Sequence, residues 1–381
     1  MALEPMARAN PASIRIVRAP GRVNLIGEHT DYNQGLVMPV AINLEIRIAY
    51  VPTNDTRVEL TLAASGERDA FDLRDVGPPR GTWIDYAAGT AWALAAAGAA
   101  PVGLRGLVAS TLPVGAGLAS SAALELALAW ALSGHGPPTL KAMALAQTCQ
   151  RGENEYVGVR CGLMDQFASS LGETGAALLL DCRSFEYRSV PLPVDEVALV
   201  VCHSGSPRRL GSSEYNARRT ECEQAVEQLS RLDPAVHSLR DVAPAMIDAV
   251  CGALDEKTVR RCRHVIAENE RVLGAEAALH AGDLATLGRL FAESHASLRD
   301  LYQVSSPELD ALVAIASATE GVVAARMTGA GFGGCTVNLV RRDAVERLRR
   351  AVLDQYPRKA GLQAAVYVVE PVAGAGVVED R

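Results

Sequence analysis

Apolar and polar residues alternate in the first part of the chain, which is the pattern of strands with one buried face. This alternation predicts antiparallel strands over residues 36–51 and 57–62. A shorter run at 14–17 also predicts a strand, which we expect to end at Ala19-Pro20-Gly21 because proline and glycine interrupt strands. Apolar residues at helical spacing predict helices over 83–97, 119–133 and 139–156. Thr139 is the N-cap expected for the last of these.

The second half of the chain has a different pattern of hydrophobic and polar residues. Strand-like runs at 176–181 and 197–202 lead into a polar, strongly helical region from about 213 to 302. Ser306-Pro307-Glu308 then supplies an N-cap, a first-turn proline and an acid for a helix over 307–318. The final predicted elements are strands at 322–327, 335–340 and 364–370. This irregular order of strands and helices predicts an α+β protein.

The composition is that of a folded protein of ordinary size. The chain has 381 residues, 49% hydrophobic and 21% charged, which excludes an intrinsically disordered protein. The length suits two domains, which we expect at 1–183 and 184–381. A net charge of −7 and only 4% aromatic residues argue against nucleic acid as a partner. A small anionic ligand is still compatible, because local backbone dipoles can bind phosphate in an acidic protein.

Several familiar kinds of site are missing from the sequence. The P-loop motif GxxxxGK[ST] does not occur. The eight cysteines include no CxxC pair, which favours reduced structural thiols over a zinc site or a disulfide framework. Residues 112–134 are long enough to span a bilayer, but Glu125 in their middle favours a buried core helix, so we expect no membrane association. The first residues lack a secretory signal, and we expect a cytoplasmic protein.

Two glycine-rich segments are candidates for contact with a ligand. Residues 113–122, PVGAGLASSA, precede a predicted helix, so their backbone N–H groups and serines could surround a phosphate. An ordinary glycine turn with a serine N-cap fits the same residues. Residues 329–334 match GxGxxG, but a strand-like run follows where a dinucleotide site needs a helix. A glycine hairpin or close-approach loop is therefore favoured over a dinucleotide site there.

Two further segments concentrate polar side chains. Residues 21–34, GRVNLIGEHTDYNQ, are dense enough in hydrogen-bonding groups to bind several hydroxyls of a polar ligand, and their spacing does not favour a metal. Residues 151–167 include Asp165 between apolar neighbours, where a carboxylate is costly unless it is paired or used. Asp165 is thus a candidate acid or base with a nearby arginine, or else a structural helix cap. The histidines outside these segments have no partners nearby in sequence and are interpreted as ordinary.

Taken in order, four segments resemble the galactokinase branch of the GHMP small-molecule kinases. Residues 20–35, PGRVNLIGEHTDYNQG, look like the signature of that branch, and 113–122 look like the family's phosphate loop, PxGxGLSSSA. Residues 153–167 resemble its catalytic segment, and 327–334 resemble its third motif. The resemblance covers nearly the whole chain. It implies two lobes, a ribosomal-S5-like N-terminal domain and a ferredoxin-like C-terminal domain, with the substrates in the cleft between them.

The resemblance also implies an activity and a set of site residues. The activity is ATP-dependent phosphorylation of the C1 hydroxyl of galactose, with small-molecule substrates and no obligate protein partner. Asp165 would accept the hydroxyl proton, and Arg22 would stabilise developing charge and keep Asp165 ionised. The sugar would be bound by Glu28, His29, Thr30, Asp31, Gly162 and Tyr215. Trp83 would line the adenine pocket, and the phosphates would contact Gly115, Ala116, Gly117, Leu118, Ala119, Ser120 and Ser121. Ser121 and Glu153 would hold Mg²⁺.

Two positions depart from the family pattern. Ala119 replaces the first of three serines in the phosphate loop, which removes one possible phosphate donor. Pro207 stands where a valine is usual, close to Tyr215 in the chain. A kinase for another sugar, such as N-acetylgalactosamine or arabinose, therefore stays open as an alternative. A non-catalytic regulator that binds galactose and ATP needs the same binding residues and is a second alternative.

Overall fold

The computed structural model describes residues 14–113, 115–206, 211–250, 252 and 254–378, which form three β-sheets packed with helices. The strands are β1 (Arg15–Asn24), β2 (Leu36–Val37), β3 (Pro39–Pro52), β4 (Arg57–Leu62), β5 (Arg68–Asp72), β6 (Leu104–Ser110), β7 (Ala176–Asp181), β8 (Tyr187–Pro191), β9 (Val197–His203), β10 (Val322–Thr328), β11 (Cys335–Arg341), β12 (Ala365–Val369) and β13 (Gly376–Val377). The α-helices are α1 (Ile84–Ala96), α2 (Ser120–Leu132), α3 (Ala142–Arg151), α4 (Met164–Leu171), α5 (Gly211–Leu232), α6 (Pro244–Val250), α7 (Glu256–Ala281), α8 (Leu284–Ser297), α9 (Pro307–Ser317) and α10 (Val345–Ala360). This mixture confirms the predicted α+β class.

The largest sheet has the strand order β13-β1-β3-β6-β4-β5, with only the β4–β6 pair parallel among the described strands. Helix α2 packs against β1 and β3 and is buried along most of its length. Its Ala and Leu residues are good helix formers, and a helix that is apolar nearly all round must lie in a core. The prediction of a core helix here is confirmed. No helix in the described ranges is long and apolar enough to cross a bilayer.

Strand β1 is longer than expected, and the prediction that it ends at Ala19-Pro20-Gly21 is wrong. The strand runs on to Asn24, with a shift of register between Pro20 and Gly21. Such a bulge accommodates a proline within a ladder. A Cβ atom on Gly21 would overlap Leu112 and the carbonyl oxygen of Leu118. The glycine therefore lets β1 run directly beneath the predicted phosphate loop.

The helix predicted over 139–156 is divided into two parts. Helix α3 begins at Ala142, and the extended backbone of Lys141 precedes it, so Thr139 is not the N-cap. The helix then continues as one π-helical turn, Gly152–Val157. A π turn widens the helix and redirects its side chains, which is why such turns are frequent at functional sites. Glu153 lies in this turn.

The elements predicted for the second half of the chain occur in the expected order, whereas β8, α10 and β13 were not predicted. The second sheet, β10-β11-β9-β12, is antiparallel, and α9 and α10 pack against it. Helices α5 to α8 and a π turn at Leu298–Tyr302 confirm the helical region predicted from 213 to 302. Ser306 accepts a hydrogen bond from the backbone N–H of Leu309 at 3.3 Å, which confirms the predicted N-cap of α9.

The third sheet, β2-β7-β8, contains strands from both sides of the expected boundary at residue 183. A boundary after residue 183 would fall in the turn between β7 and β8, which pair antiparallel. Strand β13, near the end of the chain, returns to pair with β1 in the first sheet. The division of the chain after residue 183 stays a prediction.

Candidate active site

A cavity of about 250 Å³ opens where the end of β1, the start of α2, the π turn after α3, α4 and α5 come together. Most of the site residues expected from the sequence line it. They are Arg22, Glu28, His29, Asp31, Gly115, Gly117, Ala119, Ser120, Ser121, Glu153, Gly162, Asp165 and Tyr215. Residues more than 140 positions apart in the chain are thus brought to one site.

One side of this cavity is formed by the glycine-rich loop that leads into α2. Gly115 and Gly117 have positive φ angles of 71° and 76°, and no atom lies within 4 Å of a Cβ built on Gly115. Ala119, at the N-cap position of α2, has φ +61°, which is strained for a residue with a side chain. Ser120 and Ser121, in the first turn of α2, line the cavity, so the positive dipole end of this helix lies beside it.

Arg22 connects this loop to the first sheet. Its backbone N–H donates to the carbonyl oxygen of Leu118 at 3.1 Å, and its Nη1 donates to the carbonyl oxygen of Gly117 at 2.7 Å. The arginine is only 4% exposed. The guanidinium is therefore fixed against the glycine-rich loop.

The same guanidinium forms a two-pronged ion pair with Asp165, in the first turn of α4. Arg22 Nε donates to Oδ1 and Nη2 donates to Oδ2 of Asp165, both at 2.7 Å. Charge-assisted bonds of this fork geometry fix both partners in orientation. The side chain of Asp165 stays 26% exposed and lines the cavity. A carboxylate held in this way can accept a proton from a bound hydroxyl without losing its position.

Glu153 and Ser121 lie together on the wall next to the loop. The Ser121 hydroxyl hydrogen-bonds Glu153, whose Oε2 accepts a 2.6 Å bond from Gln166 Nε2. Burial and the negative charge of Asp165 raise the pKa of Glu153. The same Gln166 nitrogen donates to Glu125 at 3.0 Å, and burial and Glu153 raise the pKa of Glu125 well above its usual value. Two carboxyl groups are thus buried side by side beneath the glycine-rich loop, and their raised pKa values favour the protonated forms.

The donor set at Ser121 and Glu153 fits Mg²⁺. A hydroxyl and a carboxylate are hard oxygen ligands, and Mg²⁺ binds few protein groups when a nucleotide supplies the others. Within the part of the chain that the structure describes, no group of three or more His, Cys, Asp or Glu residues could hold a metal ion.

The opposite side of the cavity is formed by residues 27–35 and by the loop after β10. Glu28 is 1% exposed, and its carboxylate accepts hydrogen bonds from Asn24 Nδ2 and from the N–H of Gly329, the latter at 2.6 Å. Arg326 Nη2 lies 3.6 Å from Glu28 Oε1. Burial raises the pKa of Glu28, although Arg326 opposes this shift. Glu28 therefore joins the signature segment to the loop after β10.

His29 makes a second connection to that loop. Its Nε2 lies 3.1 Å from the carbonyl oxygen of Ala330, and its Nδ1 lies 2.8 Å from the hydroxyl of Tyr32. Burial and the nearby His264 lower the pKa of His29 to about 3, so the ring is neutral. A carbonyl oxygen can only accept, so Nε2 carries the proton and Nδ1 accepts from Tyr32. Both ring nitrogens are thus engaged within the protein, and the ring itself faces the cavity.

Asp31 lies against the backbone at Gly162. A Cβ atom at position 162 would overlap the Asp31 carboxylate, so a glycine is needed for this approach. Burial and the negative charge of Asp165 raise the pKa of Asp31 to about 7. Asp31 and Asp165 are therefore two carboxyl groups on one cavity wall, and only Asp165 has an arginine partner in the structure.

Helix α5 closes the cavity with Tyr215, whose ring centroid lies 5.6 Å from that of His29. The adjacent Asn216 also lines the cavity, and its Oδ1 has no hydrogen-bond partner among the described residues. The lining residues not singled out from the sequence are Val159, Cys161, Met164, Asn216, Gly329 and Ala330. Gly329 and Ala330 belong to the glycine-rich segment 329–334, which the sequence marked as a hairpin or close-approach loop without assigning either residue to the site.

Four expected site residues do not line the cavity. The Thr30 hydroxyl lies 2.8 Å and 2.6 Å from the carbonyl oxygens of Gly27 and Leu36, inside the signature turn. Ala116 and Leu118 are 1% exposed and belong to the hydrophobic core. Trp83 donates through Nε1 to Glu67 at 2.9 Å, away from the cavity. Pro207 lies outside the described residues.

Family models match three parts of the chain, and all three belong to one class of kinase. The galactokinase galactose-binding signature matches residues 7–52. The N-terminal domain of GHMP kinases matches residues 85–173, and the C-terminal domain matches residues 275–358. The solved mevalonate kinase of Methanococcus jannaschii has the same fold, with a TM-score of 0.68 at 18% identity over 94% of this chain and 98% of that one. The predicted GHMP kinase fold is confirmed.

Proteins with higher sequence identity to this chain identify the branch of the GHMP kinases to which it belongs. A galactokinase from Roseiflexus sp. (strain RS-1) is 47% identical over 366 residues, 96% of this chain and 93% of that protein. One from Chloroflexus aurantiacus is 44% identical over 95% of this chain and 93% of its own length. The crystal structure of Lactococcus lactis galactokinase complexed with galactose superimposes with a TM-score of 0.92 at 36% identity, covering 98% of both chains. The chain therefore belongs to the galactokinase family.

Proposed function

We propose that this chain transfers the γ-phosphoryl group of ATP to the C1 hydroxyl of α-D-galactose, which gives α-D-galactose 1-phosphate and ADP. The observation that carries the proposal is the Arg22–Asp165 pair, which lies where the phosphate loop and the signature segment face each other. Full-length similarity to galactokinases supports the choice of substrates.

Transfer of this kind needs positioned groups and charge neutralisation more than covalent help from the protein. Asp165 accepts the proton of the C1 hydroxyl as the oxygen attacks phosphorus. Arg22 holds Asp165 at both carboxylate oxygens and places positive charge next to the reacting centre. The loop at 115–121 and the N-terminus of α2 bind the phosphates through backbone N–H groups.

Ser121 and Glu153 would hold Mg²⁺, which neutralises phosphate oxygens when it is bound. The chain's own contribution is to keep these two oxygen donors together at the edge of the loop. Gln166 supports this arrangement by fixing one oxygen of Glu153.

The sugar binds on the signature side. Glu28, Asp31 and Tyr215 present hydroxyl-binding groups there, and Gly162 leaves room for Asp31. His29 contributes its ring face and its backbone, because both ring nitrogens are already engaged. Galactose and ATP are the expected partners, and the absence of an obligate protein partner stays a prediction.

The test is ADP release from MgATP by the purified protein, with and without D-galactose, and then with N-acetylgalactosamine and arabinose. We expect release that depends on galactose and is fastest with it. Fast release with another sugar only would assign a different substrate. If no sugar led to ADP release while calorimetry still showed ATP binding, the protein would be a regulator and the proposal would be overturned.

A further inference from the structure

Helix α7 contacts the turn of the signature segment from behind, on the side away from the cavity. Glu268, fully buried on α7, accepts a hydrogen bond from the backbone N–H of Gly27 at 3.0 Å. Its other bonds come from Ser294 at 2.7 Å and from Arg271 Nε at 2.7 Å. Burial raises the pKa of Glu268, but Arg271, the other nearby positive charge and the Ser294 hydroxyl together outweigh burial and lower it to about 2. A fully ionised carboxylate therefore holds the first peptide of the turn.

His264, one turn earlier on the same helix, holds the peptide that joins Glu28 to His29. Its Nε2 lies 3.1 Å from the carbonyl oxygen of Glu28, and its Nδ1 lies 2.8 Å from the hydroxyl of Ser297. Burial lowers the pKa of His264 to about 4, so the ring is neutral. The carbonyl can only accept, so Nε2–H donates to it and Nδ1 accepts from Ser297.

The turn between these two contacts has an unfavourable backbone. Gly27 has φ +98° and His29 has φ +62°. A residue with a side chain is strained in this region and persists there only where its surroundings fix it. Glu268 and His264 bind the backbone on both sides of the peptide that joins Gly27 to Glu28, and they thereby fix the direction in which Glu28 and His29 leave the turn.

His264 also contacts the side chain of His29 indirectly. The rings of His264 and Tyr302 are 4.5 Å apart, and the Tyr302 hydroxyl lies 2.8 Å from that of Tyr32. Tyr32 donates in turn to His29 Nδ1, so Tyr302 must donate to Tyr32. The orientation of the His29 ring is therefore supported from α7 by a chain of two hydroxyl groups.

We propose that His264 and Glu268 are positioning residues for the sugar side of the active site, acting through the backbone of Gly27 and Glu28. Neither residue lines the cavity, so neither touches substrate. The inference deepens the proposed function and rests on it. It implies that disturbing α7 at these residues weakens sugar binding selectively, because the phosphate loop is held by other contacts.

The variant His264→Leu removes the donor to Glu28 and leaves a buried carbonyl oxygen without a partner. We expect the KM for galactose to rise about tenfold, with the KM for ATP and kcat within twofold of wild type. Calorimetric titration with galactose should show the same loss of affinity. His264→Gln, whose amide nitrogen can replace Nε2–H, should restore most of the binding. Glu276→Gln is the matched control, because this α7 carboxylate pairs with the exposed Arg188 instead.

Ser297→Ala and Glu268→Gln decide the question if His264→Leu does not fold. Ser297→Ala removes only the partner of Nδ1, and we expect a twofold to threefold rise in the KM for galactose. Equal losses for galactose and ATP, or a lower melting temperature with unchanged sugar binding, would overturn the inference. Wild-type turnover on galactose tests the proposed function separately. If wild type uses another sugar, the ratios of variant to wild type are measured on that sugar and keep their meaning.

Discussion

The two sides of the cavity are supported in different ways. The phosphate side is held by residues of the first lobe: Arg22 bonds the loop carbonyl at Gly117, and Asp165 bonds Arg22. The sugar side depends on residues from the distant helical part of the chain. His264 and Glu268 bond the backbone of the signature turn from more than 230 positions away.

This contrast shows how much of a site can be recognised in a short motif. A glycine loop before a helix contains its own phosphate-binding geometry, because backbone N–H groups and the helix terminus do the binding. A sugar site made of side chains on a strained turn needs buried polar support, which is costly to remove. Variants of the two sides should therefore fail in different ways.

The largest effect is expected on the phosphate side from Asp165→Asn. The amide cannot accept the hydroxyl proton, so kcat should fall about 10²- to 10⁴-fold, the usual contribution of a general base. Galactose affinity in calorimetry should change far less. Glu155→Gln is the control, since this exposed carboxylate pairs with Arg151 on the surface. A kcat close to that of wild type for Asp165→Asn would remove Asp165 from the mechanism.

The next largest effect should come from Gly162→Ala on the sugar side. The added Cβ would overlap the Asp31 carboxylate, which must then move. We expect the KM for galactose to rise at least tenfold while the KM for ATP stays within twofold. Gly136→Ala is a neutral comparison, because no atom lies within 4 Å of a Cβ at that position. Unchanged sugar affinity in Gly162→Ala would show that Asp31 does not contact the sugar.

A smaller effect concerns pH. Burial and Asp165 raise the pKa of Asp31 from 3.8 to about 7, so the carboxylate form increases as the pH rises through 7. The ionised form accepts hydroxyl hydrogen bonds more strongly, and the KM for galactose should fall several-fold between pH 6 and pH 8. Asp31→Asn should flatten this profile. The KM for ATP in wild type should follow a different profile.

The raised pKa of Asp31 also makes the stability of the protein depend on pH. A carboxyl group whose pKa is raised on folding lowers the free energy of unfolding as the pH rises from about 4 to about 7. Asp31→Asn should therefore raise the melting temperature at pH 8 and leave it nearly unchanged at pH 4. A lower melting temperature of Asp31→Asn at pH 8 would contradict the raised pKa of Asp31.

The smallest effect is expected from Ala119→Ser. The serine restores one neutral phosphate donor, which contributes about 0.5–1.5 kcal/mol, so the KM for ATP should fall about twofold to tenfold. Ala119→Gly is the informative comparison, because it relieves the φ of +61° without adding a donor. It should raise stability and leave the KM for ATP unchanged. A serine variant with weaker ATP binding would mean that the hydroxyl cannot face the phosphate.

Much of the fold and the phosphate side could be predicted from the sequence because the signals are local. The cap at Ser306, the core helix over 119–133 and the helical region after 213 each follow from neighbouring residues. The predicted end of β1 was wrong because a bulge lets the strand continue past Pro20, and bulges depend on tertiary contacts. The predicted start of α3 was wrong because the backbone of Lys141 is extended, so the helix begins only at Ala142.

The support of the sugar side could not be predicted in this way. His264 has no polar partner near it in sequence, and its contacts with Glu28 and Ser297 exist only in the folded chain. For Thr30 and Trp83 the difficulty is the reverse, because the sequence motif suggests a contact that the cavity does not show. A motif match identified them as candidate contacts, but the structure places their polar atoms in bonds outside the cavity.

The most direct test of the central claim is the identity of the product, followed by ³¹P and ¹H NMR during turnover of galactose with MgATP. We predict one sugar phosphate, α-D-galactose 1-phosphate, formed in step with ADP, and about 10²- to 10⁴-fold slower formation of it by Asp165→Asn. Phosphate on another hydroxyl, or ADP formed without any sugar phosphate, would contradict the placement of the C1 hydroxyl beside Asp165.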